Sequence, residues 1–234
     1  MGDNIYSDRK RTLMELPNAL AHSWRSGMHM LDFPFEPATE QQLRALYDRQ
    51  LEHPGYKSLL RSGVKVFGTW DDHDYGLNDG GAEYPWRAQS QRAMLDFLGE
   101  PEDSPRRQQE GVYTVHTLPF GEGREASIIL LDNRYHKTPY ATWPMRLQSK
   151  DPASDFLGEA QWRWLERVLD ESVSDVNVIV SGLQVLPELR WQGENWSRFP
   201  HARQRLIQTI LKSRAKGVLL LSGDVHFAEI STAK

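Results

Sequence analysis

The sequence contains no cysteine among its 234 residues. Disulfides, thiolate nucleophiles and zinc sites built from thiolates are therefore excluded within this chain. Any metal ion that the chain binds must be held by oxygen and nitrogen ligands from carboxylate, amide, hydroxyl and imidazole groups. The absence says little about the compartment in which the protein works.

Long apolar runs and a strong net charge are also missing. No run approaches the roughly 18 apolar residues of a membrane-spanning helix, and no apolar signal-peptide core is visible, so no transmembrane segment is predicted. Localisation and oligomeric state stay open. The net charge of −4 argues against a broad basic surface of the kind that binds nucleic acid. With 39% hydrophobic and 26% charged residues, the composition is that of a folded globular domain.

Apolar segments alternate with amphipathic segments along the chain. Thr39 and Gln42 form a capping-box pattern ahead of a helical stripe that ends near Pro54. Further helices are predicted at 86–98, 158–170 and 201–215, the last burying Leu206, Ile207, Ile210 and Leu211. Strands are predicted at 64–70, 112–118, 126–131, 176–180 and 217–221. This alternation predicts an α/β fold, in which ligands bind at the edge where the strands end.

The most informative stretch is residues 68–81, directly after the apolar run at 64–67. Its polar groups lie within nine residues: Asp71, Asp72, His73, Asp74, Asn78 and Asp79. Carboxylates this close together raise one another's pKa or recruit a cation, and the histidine titrates nearest to neutral pH. One interpretation is a catalytic loop that binds hard metal ions. The other is a solvated acidic turn with an ordinary histidine.

Acidic and imidazole groups recur in other segments where strands end. They are Asp3, Asp132, and Asp224 with His226. Because Asp224 and His226 are two residues apart, their side chains lean to the same side of an extended segment and are able to chelate one ion. Oxygen ligands with one or two imidazoles suit calcium, manganese, iron or zinc. A pair of such ions can clamp a phosphoryl group and generate hydroxide at neutral pH.

Four motifs, taken in order, resemble the metallophosphatase domain of the alkaline phosphatase D (PhoD-like) family, within the calcineurin-like phosphoesterases. They are G-D-N-I-Y at 2–6, W-D-D-H-D at 70–74, L-D-N-R at 131–134 and S-G-D-V-H at 222–226. The segments at 157–162 and 194–200 also resemble connecting segments of eukaryotic members. The resemblance runs through nearly the whole chain.

The resemblance implies a layered αββα fold whose two-metal centre, reported with iron and calcium, hydrolyses phosphomonoesters and phosphodiesters. Manganese or zinc would also suit the ligands. The metal ligands that it implies are Asp3, Asp71, Asp72, Asn78, Asp224 and His226. His73 falls at the position of a phosphate-contacting histidine that can act as the acid toward the leaving oxygen. A tyrosine ligand is also implied, and Tyr6, Tyr47 and Tyr56 remain alternatives.

Arg134 is a candidate phosphate clamp, since a guanidinium binds phosphate through two parallel hydrogen bonds. The alternative is a structural ion pair in a turn at the end of a strand. The expected substrate is a small-molecule phosphoester whose identity no spacing rule reveals.

The chain departs from the family pattern at both ends. Members normally carry a strand with its own metal ligand, often a cysteine or aspartate, before the position of Gly2, and further sheet strands after that of Glu229. We therefore expect residues 1–234 to form one partial PhoD-like domain that lacks the first strand, the C-terminal strands and one inferred ligand. An alternative function is that of a noncatalytic fragment or binding module.

Overall fold

The computed structural model describes residues 4–12, 14–16, 35–140, 148–188 and 193–232. The strands are β1 (Arg9–Lys10), β2 (Phe35–Glu36), β3 (Thr114–Pro119), β4 (Glu125–Leu130), β5 (Val176–Ser181) and β6 (Val218–Ser222). The helices are α1 (Glu40–Glu52), α2 (Pro54–Arg61), α3 (Asp72–Tyr75), α4 (Arg87–Phe97), α5 (Gly158–Glu171) and α6 (Pro200–Lys212), with 3₁₀ turns at Pro105–Arg107 and Trp196–Arg198. None of the helices in these ranges has the length and apolar character that a membrane span requires.

A mixed four-stranded sheet in the order β3-β4-β5-β6 forms the centre of the fold, and β1 pairs separately with β2. β3 and β4 pair antiparallel, whereas β4, β5 and β6 run parallel. Parallel neighbours need a crossover connection, and α5 and α6 lie in the two crossovers of this sheet. The predicted α/β class is confirmed. The carboxyl ends of β4, β5 and β6 meet at one edge, where the segments that carry Asp132, Gly182 and Asp224 begin.

The two faces of the sheet are covered to different extents. On one face, Ile129 and Ile179 pack with Leu165 of α5 and with the apolar side of α6, and these three side chains are fully buried. Removal of this apolar surface from water stabilises the fold. On the other face, burial decreases toward the outer strand β6, where Leu219 and Leu221 are 56% and 46% exposed.

A second buried cluster lies beneath residues 68–81. It contains Leu43 and Tyr47 from α1 and Met94 from α4, which pack with Trp70 and Tyr75 from the stretch itself. The Trp70 and Tyr75 rings meet edge to face, with their centroids 5.0 Å apart. This cluster fixes the backbone from which the acidic side chains project.

Local signals account for the start of α1 and for the boundary between α1 and α2. Thr39 Oγ1 accepts the N–H of Gln42, and Gln42 Oε1 accepts the N–H of Thr39, so the predicted capping box is confirmed. α1 ends as predicted, but Pro54 then begins α2, because proline is tolerated in the first helical turn. The predicted burial of Leu211 is wrong: its side chain is 71% exposed, because the opposite side of α6 faces the sheet.

The strand predicted at 64–70 is also wrong. The segment has no strand partner within the described ranges. Side chains bind its polar groups instead: Thr69 Oγ1 donates to the carbonyl of Leu131 at 2.6 Å, and Arg106 donates to the carbonyl of Gly68 at 2.8 Å. An extended segment fixed in this way and a buried strand have the same apolar pattern, so the sequence alone does not separate them.

Candidate metal centre

The acidic loop, residues 71–81, begins with the single helical turn α3. Asp74 holds this turn: its Oδ2 accepts the backbone N–H of Asp71 at 3.3 Å. Its Oδ1 accepts the backbone N–H groups of Asn4 and Ile5 at 2.7 and 3.1 Å. The buried Asp74 carboxylate therefore serves the backbone, and it attaches the N-terminal segment to the acidic loop.

His73 is oriented by a carboxylate that the sequence analysis did not select. The Asp8 Oδ1 atom lies 2.6 Å from His73 Nδ1, and the Asp8 side chain is only 1% exposed. Asp8 Oδ2 accepts the backbone N–H of Asn78 at 2.9 Å. Because the carboxylate accepts from Nδ1–H, it fixes the tautomer and the orientation of the imidazole. The Tyr6 ring packs against the His73 ring at a centroid distance of 4.2 Å.

Asp71 is paired with Arg134 inside the protein. Asp71 Oδ1 accepts from Arg134 Nε at 2.8 Å and also from Nη2, whereas Asp71 Oδ2 has no hydrogen-bond partner among the described residues. Burial raises the pKa of Asp71 well above its ordinary value despite Arg134, and the charges of Asp72 and Asp224 add to the rise. A buried carboxylate oxygen without a hydrogen bond fits a metal ligand.

The Arg134 guanidinium faces carboxylates on several sides and is fully buried. Its Nη1 lies 2.6 Å from Glu194 Oε2, and its Nη2 lies 3.8 Å from Asp72 Oδ1. Lys137, also fully buried, places its Nζ 3.5 Å from Glu194 Oε1. Burial alone would raise the pKa of Glu194, but the charges of Arg134 and Lys137 lower it to about 2. This arrangement corresponds to the structural ion pair that was the alternative for Arg134.

Asp132, one of the acidic groups at the strand ends, is a structural residue. Its Oδ1 accepts from Trp70 Nε1 at 2.8 Å and from the backbone N–H groups of Arg134 and Tyr135 at 2.8 and 3.0 Å. Its Oδ2 accepts the N–H of Val112 at 2.8 Å. With both oxygens bonded by protein donors, this carboxylate fastens the end of β4 to the neighbouring segments.

The β6 loop, residues 223–226, approaches the acidic loop from the edge of the sheet. The N–H of Gly223 donates to the carbonyl of Gly182 at 3.1 Å, which joins the ends of β5 and β6. Asp224 and His226 have φ angles of 72° and 54°, in the left-handed region that residues other than glycine seldom adopt. Such backbone outliers cluster at functional sites.

Of the three candidate tyrosines, Tyr6 is the one that lies beside candidate ligands. Its hydroxyl lies 3.4 Å from His226 Nε2. Tyr47 is buried and donates to the carbonyl of Asp74 at 3.3 Å, and Tyr56 stacks on Phe97. The carboxylates Asp72, Asp79 and Glu194 each offer an oxygen within 4.8 Å of one another, and the N–H of Asp79 donates to Asp72 Oδ2 at 2.9 Å. Asp3 lies outside the described residues.

The family model described as PhoD-like phosphatase matches residues 1–234. The chain belongs to the PhoD-like phosphatase family. It is 26% identical over 218 residues to "Alkaline phosphatase D" of Bacillus subtilis (strain 168), a match that covers 79% of this chain and 36% of the relative. A solved structure described as "Structure of PhoD" matches with a TM-score of 0.63 and 23% identity, over 80% of this chain and 39% of that chain. The chain thus spans less than half the length of either protein.

Three buried charged residues of this PhoD-like chain were not selected from the sequence. Asp8 lies close to the G-D-N-I-Y motif, and its position in that segment was the signal available for it. Glu194 lies in the stretch at 194–200 that resembles a connecting segment of the family. Lys137 follows the L-D-N-R motif by three residues, and nothing in its local pattern indicates that its ammonium group is buried.

Proposed function

We propose that this PhoD-like chain carries the metal site of a phosphoester hydrolase that acts on phosphomonoesters or phosphodiesters with two metal ions. The observation that supports the proposal most is the meeting of the acidic loop and the β6 loop. The charge of Asp224 helps to raise the pKa of Asp71, and the Tyr6 hydroxyl lies 3.4 Å from His226 Nε2. Segments far apart in the sequence thus supply carboxylate, imidazole and phenol groups to one place.

The ligands that we propose for the metal ions are Asp3, Asp71, Asp72, Asn78, Asp224 and His226, with Tyr6 as the phenol. Oxygen-rich ligands with one imidazole fit the iron and calcium of the family resemblance, and also manganese or zinc. The unbonded and buried Asp71 Oδ2 atom is the donor whose environment fits an ion best. When bound, such ions supply an activated water molecule at neutral pH and polarise the phosphoryl oxygens.

We assign His73 to proton donation toward the leaving oxygen. Asp8 accepts from His73 Nδ1 at 2.6 Å, so Nε2 is the atom that carries the transferred proton. Rotation of the ring is restrained by this hydrogen bond and by the packing of Tyr6 on its face. Both contacts reduce the conformational freedom that would otherwise be lost when substrate binds.

For Arg134 the geometry favours a supporting role, in which its side chain contacts the ligand Asp71 and not the substrate. Two of its nitrogens bind Asp71 and a third lies 2.6 Å from Glu194, while the side chain is fully buried. A guanidinium committed to two carboxylates has little capacity left for a substrate phosphate. We therefore propose that Arg134 holds the ligand Asp71 and does not clamp the substrate.

The test is a metal-dependent hydrolysis assay with p-nitrophenyl phosphate and bis-p-nitrophenyl phosphate, in which calcium, manganese, iron and zinc are supplied singly and in pairs. We expect His73→Ala to lower the turnover number by about 10²–10⁴-fold, the range for loss of a general acid. His53→Ala is the matched control, because its ring is exposed at the end of α1, and it should retain full activity.

The outcomes separate the alternatives. If His73→Ala leaves metal-dependent turnover unchanged, the role assigned to His73 is contradicted, but the proposed hydrolase function stands. No turnover above that of His73→Ala with any metal would contradict catalysis by this chain and favour a noncatalytic binding module.

A further inference from the structure

Glu194 has an unusual position for a carboxylate outside the predicted ligand set. It is fully enclosed, and the loop that carries it is anchored in the core of the sheet. Trp196 and Ser197, two and three residues further on, are buried, and the backbone N–H of Trp196 donates to the carbonyl of Gln184 at 2.9 Å. The Trp196 indole N–H also donates to Ser181 Oγ at the end of β5. Glu194 is therefore presented by a rigid segment, which suits a residue that must fix the position of another group.

The group that Glu194 fixes is the Arg134 guanidinium. Glu194 Oε2 lies 2.6 Å from Arg134 Nη1, and the other acceptor near that nitrogen is the carbonyl of Gly80 at 3.4 Å. Arg134 Nε and Nη2 are bound to Asp71 Oδ1. One guanidinium is thus shared by two carboxylates that come from different loops, and its planar shape transmits the position of one to the other.

Sharing this cation has a geometric consequence for the ligand. The guanidinium binds Asp71 on one side through Nε and Nη2 and meets Glu194 on the other side through Nη1, so Asp71 Oδ1 has a fixed partner. The charge of Glu194 is in turn balanced by Lys137, whose Nζ lies 3.5 Å from Oε1 and 2.7 Å from the carbonyl oxygen of Asp79. Asp71 thereby keeps Oδ1 in a fixed position and Oδ2 without a hydrogen bond.

We propose that Glu194 is a positioning residue of the metal centre: it anchors Arg134 so that the guanidinium orients Asp71. The inference rests on the proposed function, because it assigns the orientation of a proposed ligand. It adds a residue outside the proposed ligand set and predicts that metal affinity depends on the carboxylate that holds Arg134.

The first measurement needs no metal. Hydrogen exchange of the Arg134 Nε–H group is followed by ¹H–¹⁵N NMR on the metal-free chain, and the signal is identified by its loss in Arg134→Lys. In the unsubstituted chain the group is buried and bound to Asp71, so its exchange should be slow. Glu194→Gln should accelerate this exchange at least about tenfold, because an anchored charge pair becomes a weaker neutral contact.

The second measurement is the dissociation constant of Mn²⁺ and of Ca²⁺, each titrated alone by calorimetry. Glu194→Gln should weaken binding by about 10–100-fold, the usual effect of losing a residue that supports a ligand. Glu100→Gln is the matched control, because it also removes a carboxylate from a buried arginine, Arg106, at 3.3 Å. That variant should lower the melting temperature and leave both dissociation constants within about twofold.

Each outcome decides the proposal. Slow Arg134 exchange in Glu194→Gln would overturn the anchoring role, whatever the metal data show. Fast exchange with unchanged metal affinity would reduce Glu194 to a stabilising residue like Glu100 and would also overturn the proposal. Absence of metal binding by the unsubstituted chain would overturn the proposed function itself, a result that the exchange measurement cannot mimic.

A conservative variant covers the case in which Glu194→Gln does not fold. Glu194→Asp keeps the charge but shortens the side chain by one methylene, so Arg134 is held less firmly. We expect exchange and metal affinity between those of the unsubstituted chain and the glutamine variant. Affinity equal to that of the unsubstituted chain, together with fast exchange, would overturn the proposal.

Discussion

The acidic loop and the β6 loop carry the same kinds of ligand, but the protein supports them differently. In the acidic loop, Asp71 and Asp74 are fully buried and bonded to groups from two other parts of the chain, Arg134 and the N-terminal segment. In the β6 loop, Asp224 is half-exposed and His226 is exposed, and the preceding strand lies at the edge of the sheet. Burial therefore restricts the first set of side chains far more than the second.

Because of this difference, substitutions in the two loops should separate the free energy of unfolding from the metal affinity, which ligand substitutions usually change together. Substitution of a residue that contacts the buried groups of the acidic loop should reduce both the free energy of unfolding and the metal affinity, because the same contacts determine both. A substitution in the β6 loop should reduce metal affinity with little effect on the free energy of unfolding. The variants below test this contrast by their effect on unfolding.

The largest effect is expected for Arg134→Met. This change leaves Asp71 and Glu194 buried without their shared cation, which should lower the free energy of unfolding by about 3–5 kcal/mol. Denaturation in urea measures the change. Arg44→Met is the control, because its ion pair with Asp96 is largely exposed and should contribute at most about 1 kcal/mol. Equal losses in the two variants would show that the buried network does not define the acidic loop.

An intermediate effect is expected for Gly182→Ala, at the end of β5. An added Cβ would lie 2.9 Å from Asp71 Oδ1 and 3.2 Å from the carbonyl oxygen of Trp70, so the acidic loop must shift. We expect a loss of about 1–3 kcal/mol in the free energy of unfolding, measured in the same urea series.

Gly55→Ala is the control for this variant, since its Cβ would meet only the His53 ring, at 3.5 Å. Within α2 the change should stabilise the chain by about 0.4–1 kcal/mol. If Gly182→Ala is as stable as the unsubstituted chain, the acidic loop shifts at little cost in free energy.

The smallest effect on unfolding is expected for Asp224→Asn, which should change its free energy by no more than about 0.5 kcal/mol. Its metal affinity should nevertheless fall by at least about tenfold, because a proposed anionic ligand is lost. Calorimetric titration with Mn²⁺ and a urea series give the two numbers. Asp170→Asn, on the exposed surface of α5, should change neither. A loss of stability as large as that of Arg134→Met would end the contrast between the two loops.

The strands of the sheet could be predicted from the sequence, and the two candidate ligand segments proposed from it, because their signals are local. An apolar run at 176–180 that ends in polar residues indicates both a buried strand and the edge at which it stops. The clustering of Asp71, Asp72 and His73 marks a site without reference to any other segment. The capping box at the start of α1 is equally local.

The contacts that hold the candidate site residues in place could not be predicted, because they join segments that only the fold brings together. The pairing of His73 with Asp8 depends on how the N-terminal segment meets the acidic loop. That of Arg134 with Glu194 depends on the loop after β5. The role of Asp132 stayed open for the same reason: an aspartate at a strand end has one sequence pattern whether it binds a metal or backbone N–H groups.

The buried turn next to Glu194 also bears on how the chain tolerates modification. Asn195, Trp196 and Ser197 form an Asn-X-Ser sequence, the acceptor pattern for N-linked glycans. In the folded chain the Asn195 side chain is 1% exposed, and its Oδ1 caps the 3₁₀ turn by accepting from the N–H and the hydroxyl of Ser197. A sugar attached there before folding would displace Trp196 from the core. Production in a host that does not glycosylate this sequence, or as a Ser197→Ala variant, therefore avoids a modification that is incompatible with the fold.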